Sequence, residues 1–306
     1  MSTGQRSFGT KPHFDSIRDS AKSAIRKGIE LLPNRLRDVV LIARDFRAAF
    51  GHYPNVFFPK TFNEKVQTRK IFDRRRGLST WADKYAVREY VRTKIGEAVL
   101  PALYYVSADP LEIPFQELPM QYVVKATHGS GWIQIVRDDT TVDKQDLINR
   151  CLGWLSMNYS DLTREWIYRD IPPRIVIEEF LDDGTGGPPK DYKFFVFGGK
   201  VKVIQVDLDR FIHHTRNFYD PNWTRLDCRL GYENFDAPVA RPGNLGTMID
   251  YAEALSDNID FVRVDLYDIR GKVYFGELTN TPANGLKQFH PSSWDEVFGA
   301  FWKMRF

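Results

Sequence analysis

The sequence contains almost no cysteine and no long apolar segment. Cys151 and Cys228 are the only cysteines among 306 residues, which excludes a disulfide framework and a cysteine-based metal site. No apolar run approaches the length of a membrane-spanning helix, and no apolar signal-peptide region stands near the N-terminus. These absences predict a reduced, cytoplasmic protein.

The sequence also lacks a strong excess of either charge. It carries 43 Lys and Arg against 40 Asp and Glu, a formal net charge of +3, and it contains no DNA- or RNA-binding signature. Nucleic acid is therefore not expected as a partner. No low-complexity tract and no clear repeat is present, and 42% hydrophobic residues suffice for a sizeable core in two or three lobes.

Basic residues are frequent near the N-terminus. Residues 16–50 follow a helical and basic pattern that is interrupted at Pro33 and Asn34. A basic amphipathic segment can lie on an anionic membrane, so peripheral association with the inner face of the membrane is one prediction. The alternative is an ordinary helix packed on its neighbour with a solvated face, which the thin apolar stripe favours.

Residues 261–284 show the alternation of a β-hairpin, with turn residues at 268–271. A loop with an odd number of residues, such as a three-residue loop with Gly271 in the left-handed conformation, would place the odd-numbered side chains of both strands on one face. The side chains that would share this face are Arg263, Asp265, Glu277 and Thr279.

Two carboxylates that face each other across a pair of strands repel each other unless a cation or a proton lies between them. Carboxylate oxygens suit Mg²⁺, which also binds phosphate oxygens. Asp265 and Glu277 are therefore candidate magnesium ligands. The alternative is a surface hairpin whose acids form ion pairs with Arg263 or with lysines.

A short glycine loop joins two further predicted strands. The strand at 122–127 runs into His128-Gly129-Ser130-Gly131, and a strand resumes at 132–136. The backbone N–H groups of such a loop can surround phosphate oxygens, and Lys125 adds a positive charge beside it. No GK[ST] opens a helix here, so the loop is not a P-loop, and a plain hairpin turn remains the alternative.

Other segments predict elements without indicating chemistry. A capping box at Thr61–Glu64 begins a helix, and Asn244 is expected to cap another helix that ends near Ser256. A helix at 143–157, a buried strand at 174–181 and two strands joined at Gly198-Gly199 complete the pattern. The adjacent His213 and His214 would point apart on an extended chain, which disfavours zinc.

In their order these segments resemble the ATP-grasp superfamily, and specifically its TupA-like branch, named for teichuronopeptide biosynthesis. The resemblance covers roughly residues 55–292. The matching stretches are FNEK (62–65), ADKYAVREYV (82–91), VVKATHGSGW (123–132), IVIEEFL (175–181), DYKFFVFGGK (191–200), QVDLDRF (205–211), RNFYD (216–220), FVRVDLY (261–267) and GELTNTP (276–282).

The resemblance implies an α+β protein with the ATP-grasp fold, in which a nucleotide cleft lies between two α+β lobes preceded by basic N-terminal helices. It divides the chain into an N-terminal basic helical region at 1–60, a pre-ATP-grasp-like region of helix and strand at 61–121, a small lobe at 122–181, and a large lobe with the metal site at 182–306.

The resemblance also implies ATP and Mg²⁺ as cofactors and gives roles to individual residues. The expected phosphate contacts are Lys84, Lys125, Gly129, Ser130 and Gly131. The adenine is expected against Glu178, Glu179, Phe180 and Leu181, with Asp191 close to the ribose.

For the reacting groups, the resemblance implies that Asp265 and Glu277 bridge one or two Mg²⁺ ions and that Arg263 faces the reacting phosphate. Further candidates for binding phosphate or an acidic substrate are Lys193, Arg210 and Arg216. Many family members have asparagine where this sequence has Thr279. Asn280 follows, and strand alternation turns it away from Glu277 unless a bulge redirects it, so the third metal ligand is Thr279 or Asn280.

The resemblance implies an ATP-dependent carboxylate–amine ligase that forms an acyl phosphate and then an amide in cell-surface polysaccharide biosynthesis. Its substrates would be an acidic sugar or glycan precursor and an amino acid or other amine. Three alternatives stay open: a kinase that phosphorylates a sugar in the same cleft, a glycosyltransferase in which Asp207 and Asp209 form a metal-binding DxD, and a non-catalytic interaction module.

Overall fold

The computed structural model describes residues 23–24, 27–184, 189–208, 214–257 and 259–305. Its helices are α1 (Asn34–Phe50), α2 (Phe62–Phe72), α3 (Gly77–Ala82), α4 (Val87–Ile95), α5 (Lys144–Leu155), α6 (Tyr159–Thr163), α7 (Leu245–Leu255) and α8 (Ser293–Phe301). Most of the predicted segment at 16–33 lies outside the described residues, and helix α1 begins directly after Pro33, where the sequence predicts the interruption.

Twelve strands form antiparallel sheets, which confirms the α+β class. The strands are β1 (Leu103–Ser107), β2 (Tyr122–Ala126), β3 (Ile133–Val136), β4 (Ile175–Glu179), β5 (Asp191–Phe197), β6 (Lys200–Leu208), β7 (Thr215–Tyr219), β8 (Arg225–Leu226), β9 (Arg229–Leu230), β10 (Phe261–Ile269), β11 (Lys272–Thr279) and β12 (Phe289–His290).

A four-stranded sheet and a six-stranded sheet make up the two lobes. The smaller sheet has the order β1-β4-β2-β3, and the larger has the order β11-β10-β5-β6-β7-β8, while β12 and β9 form a separate pair. Strand β1 comes from the 61–121 region but pairs with β4, whereas α2 from the same region packs against α8 beside the larger sheet. Residues 61–121 therefore contribute elements to both lobes.

Helix α5 covers one face of the smaller sheet. Leu147, Cys151 and Trp154 of the helix belong to one buried cluster with strand residues such as Val124 and Ile177. The side chain of Asp143 accepts hydrogen bonds from the backbone N–H groups of Gln145 and Asp146 at 2.9 and 3.0 Å, which caps the helix at its start. The opposite face of this sheet is left for the cleft.

The two faces of the larger sheet differ in chemistry. One face carries the buried even-numbered residues Phe194, Val196, Ile204, Val206, Val262, Val264 and Leu266, is apolar there, and packs on α4 and α7. The odd-numbered face is aromatic at one end, where the ring of Phe62 on α2 lies 5.2 Å from that of Phe261. At its other end the odd-numbered face carries charged residues, and this half forms the candidate site.

The predicted side-chain cap is confirmed at one helix and is wrong at another. Thr61 and Glu64 form the predicted capping box at the start of α2. Asn244 precedes α7 but makes no side-chain capping bond, and its Nδ2 donates instead to Asp268 Oδ1 at 2.9 Å. The carboxylate of the neighbouring hairpin competes with the helix terminus for this side chain.

The β10–β11 hairpin has the predicted pairing but not the proposed loop. Ile269 pairs with Lys272, so the loop contains two residues, Arg270 and Gly271, with φ values of 51° and 80°. A two-residue loop alone would pair odd with even positions. The register shifts at Gly276, and this bulge brings Glu277 and Thr279 onto the same face as Asp265 and Arg263.

Candidate functional site

A cleft of about 220 Å³ lies between the two sheets. The smaller lobe contributes residues of its sheet, of the glycine loop and of the segment after β4. These are Val123, Lys125, Ser130, Gly131, Trp132, Ile133, Ile135, Glu178, Glu179, Phe180 and Leu181. The larger lobe contributes Asp191, Lys193, Tyr267, Phe275, Gly276 and Glu277, and the segment before β1 adds Lys84, Arg88 and Pro101. Most of the residues implied by the resemblance therefore line one cavity.

The four hairpin side chains that the sequence places on one face are in direct contact. Arg263 pairs across the strands with Thr279, and Asp265 pairs with Glu277. The guanidinium of Arg263 donates through Nε and Nη2 to both carboxylate oxygens of Asp265 at 2.7 Å, and through Nη2 to Glu277 Oε1 at 2.8 Å and to Thr279 Oγ1 at 2.9 Å. One arginine thus holds two carboxylates and a hydroxyl in fixed positions.

Lys193 extends this network to the next strand. Its Nζ donates to Asp265 Oδ2 at 2.6 Å and also forms an ion pair with Asp191. Asp191, Lys193 and Asp265 are all buried, so these charges interact with little screening by water.

The pKa values of the two central carboxyls are shifted in opposite directions. The side chain of Asp265 is only 2% exposed, and this burial raises its pKa to about 6 against the opposing effects of Arg263 and Lys193. The side chain of Glu277 is 40% exposed; desolvation raises its pKa, but Arg263, Lys193 and Lys84 outweigh this effect and leave the pKa well below its usual value. Glu277 therefore stays ionised at neutral pH.

These carboxylates fit a magnesium ion. Among the residues that the structure describes, no group of three or more His, Cys, Asp and Glu side chains could hold a metal ion. Mg²⁺ is usually held by one or two carboxylates together with phosphate oxygens and water, so two paired acids at the edge of a phosphate cleft are a sufficient protein contribution. The hydroxyl of Thr279 donates to Glu277 Oε1 at 3.0 Å and lies beside them.

Asn280 is placed away from this group. Its side chain is buried and donates through Nδ2 to the carbonyl of Leu78 on α3 at 3.1 Å. The bulge at Gly276 lies before Glu277 and leaves the alternation of the strand end unchanged, so Asn280 keeps the opposite orientation from Glu277 and Thr279. Of the two residues that the sequence leaves open as the third ligand, only Thr279 lies beside Glu277 in the structure.

The glycine loop is fixed by contacts on both sides. Lys84 Nζ donates to the carbonyl of Gly129, and burial lowers the pKa of Lys84 although Glu277 lies near enough to oppose this. A Cβ atom at Gly129 would lie 2.6 Å from the ring of Trp132, and Gly131 has a φ of 76°. Both glycines are thus needed for the loop's shape, one for space and one for its backbone conformation.

Two glutamates, Glu178 and Glu179, end β4 where this strand borders the cleft. Lys125 forms an ion pair with Glu178, and Arg88 lies 3.7 Å from the same carboxylate. The backbone N–H of Glu179 donates to the carbonyl of Ala102 at 2.8 Å, and Glu179 Oε2 accepts from the N–H of Ala102 at 3.0 Å. Glu179 therefore joins β4 to the segment preceding β1.

Arg216 does not line the cleft. Its guanidinium donates to Asp207 Oδ1 at 2.6 Å and to Oδ2 at 3.1 Å, and it lies 4.8 Å from the ring of Tyr232. Asp207 in turn lies opposite Asp191 on the neighbouring strand. The structure thus puts Arg216 two strands away from Asp191 on the same face, whereas Arg210 and Asp209 lie outside the described residues.

Several cleft residues were not identified from the sequence. Arg88 is four residues after Lys84, so helical periodicity predicts that the two side chains lie close together. Val123 is two residues before Lys125, so strand alternation predicts that both face the cleft. Ile133 and Ile135 share a face of β3 in the same way. Tyr267 follows Asp265 by two positions on β10, so alternation carries a signal for it as well, whereas the position of Phe275 depends on the unpredicted bulge at Gly276.

In the part of the chain that the structure describes, no helix is both long and apolar enough to span a membrane.

Comparison with solved structures finds similar folds at low identity. D-alanine–D-alanine ligase from Bacillus anthracis complexed with ATP is 17% identical, with a TM-score of 0.41, over 66% of this chain and 55% of that chain. D-alanine–D-alanine ligase from Helicobacter pylori is 17% identical, with a TM-score of 0.39, over 72% of this chain and 61% of that chain. Phosphoribosylamine–glycine ligase from Thermotoga maritima is 12% identical, with a TM-score of 0.41, over 71% of this chain and 55% of that chain.

The matched region therefore spans less than two thirds of each of these solved chains. No curated protein sequence matches the chain. The family profile described as TupA-like ATPgrasp matches residues 64–303, which include both lobes and every described residue of the cleft. The chain belongs to the TupA-like ATP-grasp family.

Proposed function

We propose that this protein is an ATP-dependent carboxylate–amine ligase. The observation that carries the proposal is the pairing of Asp265 with Glu277 across the hairpin, where Glu277 lines a cleft that also receives Lys84, Lys125 and the glycine loop. Membership of the ATP-grasp family and the ligases named among the similar folds agree with this chemistry.

ATP would bind with its adenine at the apolar end of the cleft and its phosphates at the charged end. Ile133, Ile135 and Leu181 provide the apolar surface, and backbone groups of the segment after β4 provide polar partners for the adenine. Lys84 and Lys125 would approach the phosphates, which the N–H groups around Gly129 to Gly131 would cover. Asp191 also lines the cleft and would approach the ribose.

Asp265 and Glu277, with Thr279 beside them, would hold Mg²⁺. The ion would neutralise the triphosphate and orient it for transfer to the acceptor carboxylate. Arg263 fixes the two carboxylates through three hydrogen bonds and makes a fourth to Thr279, and its positive charge would lie where negative charge develops. Lys193 holds Asp265 ionised and prevents the buried acids from repelling each other.

The finer assignment is an acidic sugar or glycan precursor as acceptor and an amino acid or other amine as nucleophile, in cell-surface polysaccharide biosynthesis. The family name supports this substrate class. We further propose peripheral membrane contact through the N-terminal basic region, of which α1 is the largest described part; Leu36 of α1 is 56% exposed.

The test is a measurement of products with ATP, Mg²⁺, a uronic acid and an amino acid. A ligase releases ADP and free phosphate only when both acceptor and amine are present, whereas a sugar kinase leaves the phosphate on the acceptor. Asp265→Asn and Glu277→Gln should abolish turnover without unfolding the protein. Full activity in both variants would refute the metal assignment, and phosphate retained on the acceptor would establish the kinase alternative instead.

A further inference from the structure

A histidine lies beside a buried carboxylate on the charged half of the larger sheet, and the proposed function leaves it without a role. This residue is His214, which directly precedes β7. Its Nε2 lies 3.4 Å from Oδ1 of Asp207 on the neighbouring strand β6. A carboxylate beside a histidine orients the ring and stabilises its protonated form, which is the arrangement of a general base. The pair is therefore a candidate for proton transfer.

The carboxylate of this pair is held in place and kept ionised. Gln205 Nε2 donates to Oδ1 and Oδ2 of Asp207 at 3.0 and 3.1 Å, and Arg216 donates to the same two atoms at 2.6 and 3.1 Å. Burial raises the pKa of Asp207, but its contacts with His214 and Arg216 outweigh this effect and hold the pKa well below its usual value. Asp207 therefore presents a fixed negative charge to His214.

The imidazole ring is also oriented by a neighbouring aromatic ring. It stacks on Tyr232, with the two ring centres 3.7 Å apart and the ring planes at 29° to each other. Because Nε2 lies beside Asp207, we assign the proton of the neutral imidazole to Nε2, and Nδ1 is then the atom that can accept a further proton. The side chain of His214 is 15% exposed, which leaves part of the ring open to a substrate.

The histidine lies close to the cleft, on the side away from the hairpin. Asp207 Oδ2 is 4.0 Å from Nζ of Lys193, which lines the cleft and donates to Asp265. The sheet order β10-β5-β6-β7 places His214 beyond Lys193 as seen from the hairpin, and His214 is not one of the residues that line the nucleotide cavity. A group in this position can act on a second substrate without contacting the nucleotide.

The proposed reaction contains a proton transfer that the residues discussed above do not perform. An amine is mostly protonated at neutral pH, and it has no lone pair for attack until it loses a proton. Lys193 and Arg263 are cations, and Asp265 and Glu277 are the proposed ligands of magnesium. A ligase with this site therefore needs a separate base near Lys193.

From this geometry we infer that His214, oriented by Asp207, is the general base that takes a proton from the amine. The inference rests on the proposed ligase function. Nδ1 accepts one proton from the ammonium group, and the nitrogen lone pair freed in this way attacks the carbonyl carbon of the acyl phosphate. The new C–N bond replaces the C–O bond to the phosphate, which leaves with that electron pair and takes a second proton from the amine. The imidazolium then returns its proton to water.

Hydroxylamine separates this step from the formation of the acyl phosphate, because it is mostly unprotonated at neutral pH and attacks an acyl phosphate without help from a base. The wild type, His214→Gln and the control His52→Gln each receive ATP, Mg²⁺ and glucuronate, with either hydroxylamine or an equimolar mixture of the protein amino acids. His52 is exposed and lies between α1 and α2. Hydroxamate and amide are quantified by mass spectrometry.

We expect hydroxamate formation to be equal in the three proteins and amide formation to fall about a hundredfold or more in His214→Gln alone, since a general base commonly contributes at least this factor. Equal losses of both products in His214→Gln would overturn the inference, because the histidine would then support the site as a whole. An equal loss of amide in His52→Gln would overturn it too.

A second variant tests the chemistry of the missing group. His214→Ala removes the imidazole beside Tyr232, and imidazole added to the solution should raise its rate of amide formation in proportion to the concentration of the unprotonated base. The wild type and His52→Gln should not respond. A rate in His214→Ala that imidazole leaves unchanged would show that His214 acts only through packing.

The wild type alone decides the fate of the proposed function. If it forms neither hydroxamate nor amide from ATP and glucuronate, the ligase proposal is refuted and the inference with it. If it forms both products, and His214→Gln forms both at the same rates, the inference alone is refuted.

Discussion

In the proposed magnesium site, Asp265 would be a ligand only in its ionised form. Burial raises its pKa to about 6, so the carboxyl is increasingly protonated as the pH falls through that value. We expect kcat/KM to fall about tenfold per pH unit below this midpoint, as for the loss of one essential base.

Magnesium provides the check on this assignment. Mg²⁺ binds the ionised form of Asp265 only, so raising its concentration should move the midpoint to lower pH. Sodium at equal ionic strength is the control and should leave the midpoint in place. A midpoint that does not respond to Mg²⁺ would mean that another group limits activity in acid.

A second test concerns the proposed contact of Lys125 with the phosphates of ATP. Lys125→Ala removes a positive charge from the phosphate end of the cleft, while Arg88, 3.7 Å from Glu178, still compensates the carboxylate left behind. A charged hydrogen bond contributes about 1.5–3 kcal/mol, so ATP should bind at least about tenfold more weakly. Lys272→Ala, at the exposed hairpin turn, is the control, and equal ATP affinity in both variants would contradict the phosphate role of Lys125.

At the scale of the element, the glycine loop depends on the absence of a side chain at position 129. In Gly129→Ala the new Cβ would lie 2.6 Å from the ring of Trp132, so either the ring or the loop must move. We expect ATP binding to weaken, because the loop's N–H groups lose their positions, while circular dichroism stays unchanged.

Gly153→Ala on α5 is the matched control for this change. A Cβ at Gly153 meets nothing within 4 Å, and alanine favours a helix, so the variant should be neutral or more stable by up to about 1 kcal/mol. ATP affinity that is normal in Gly129→Ala would remove the glycine loop from the binding site.

The hairpin shows how far an element can be predicted from the sequence. Alternation together with a loop of odd length predicts Asp265 and Glu277 on one face, and the structure confirms their pairing although the loop is different. The two-residue loop and the bulge could not be predicted, because two different combinations of loop and bulge give the same final register. Gly276 is the one local signal, since a Cβ there would lie 3.0 Å from the carbonyl oxygen of Asp265.

At the scale of the whole molecule, the predicted α+β fold with a cleft between two lobes agrees with the structure, but contacts between distant segments do not follow from local patterns. Arg75 pairs with Asp260, which lies 185 residues further along the chain, and no local pattern indicates this contact. Likewise, Arg216 is a predicted binding residue, but its partner Asp207 becomes apparent only when β6 and β7 are aligned.

Asp260 joins three parts of the larger lobe that are far apart in the sequence. It precedes β10 and accepts hydrogen bonds from Arg69 Nη2 on α2 at 2.6 Å and from the indole of Trp302 after α8 at 2.9 Å. Arg69 is only 1% exposed, so the ion pair is almost free of water. Burial raises the pKa of Asp260, but Arg69, Trp302 and Arg75 outweigh it and hold the pKa below the usual value.

We therefore expect Asp260→Ala to lower the free energy of unfolding by about 3–5 kcal/mol, because it leaves the buried charge of Arg69 without its main partner. Urea unfolding measures this change, and Asp146→Ala is the control, since it breaks an exposed ion pair with Arg150 worth at most about 1 kcal/mol. The Asp260 network lies at the aromatic end of the sheet face, away from the cleft, so the variant should keep its ATP affinity while it is folded. Equal losses of stability in the two variants would show that Asp260 does not hold the lobe together.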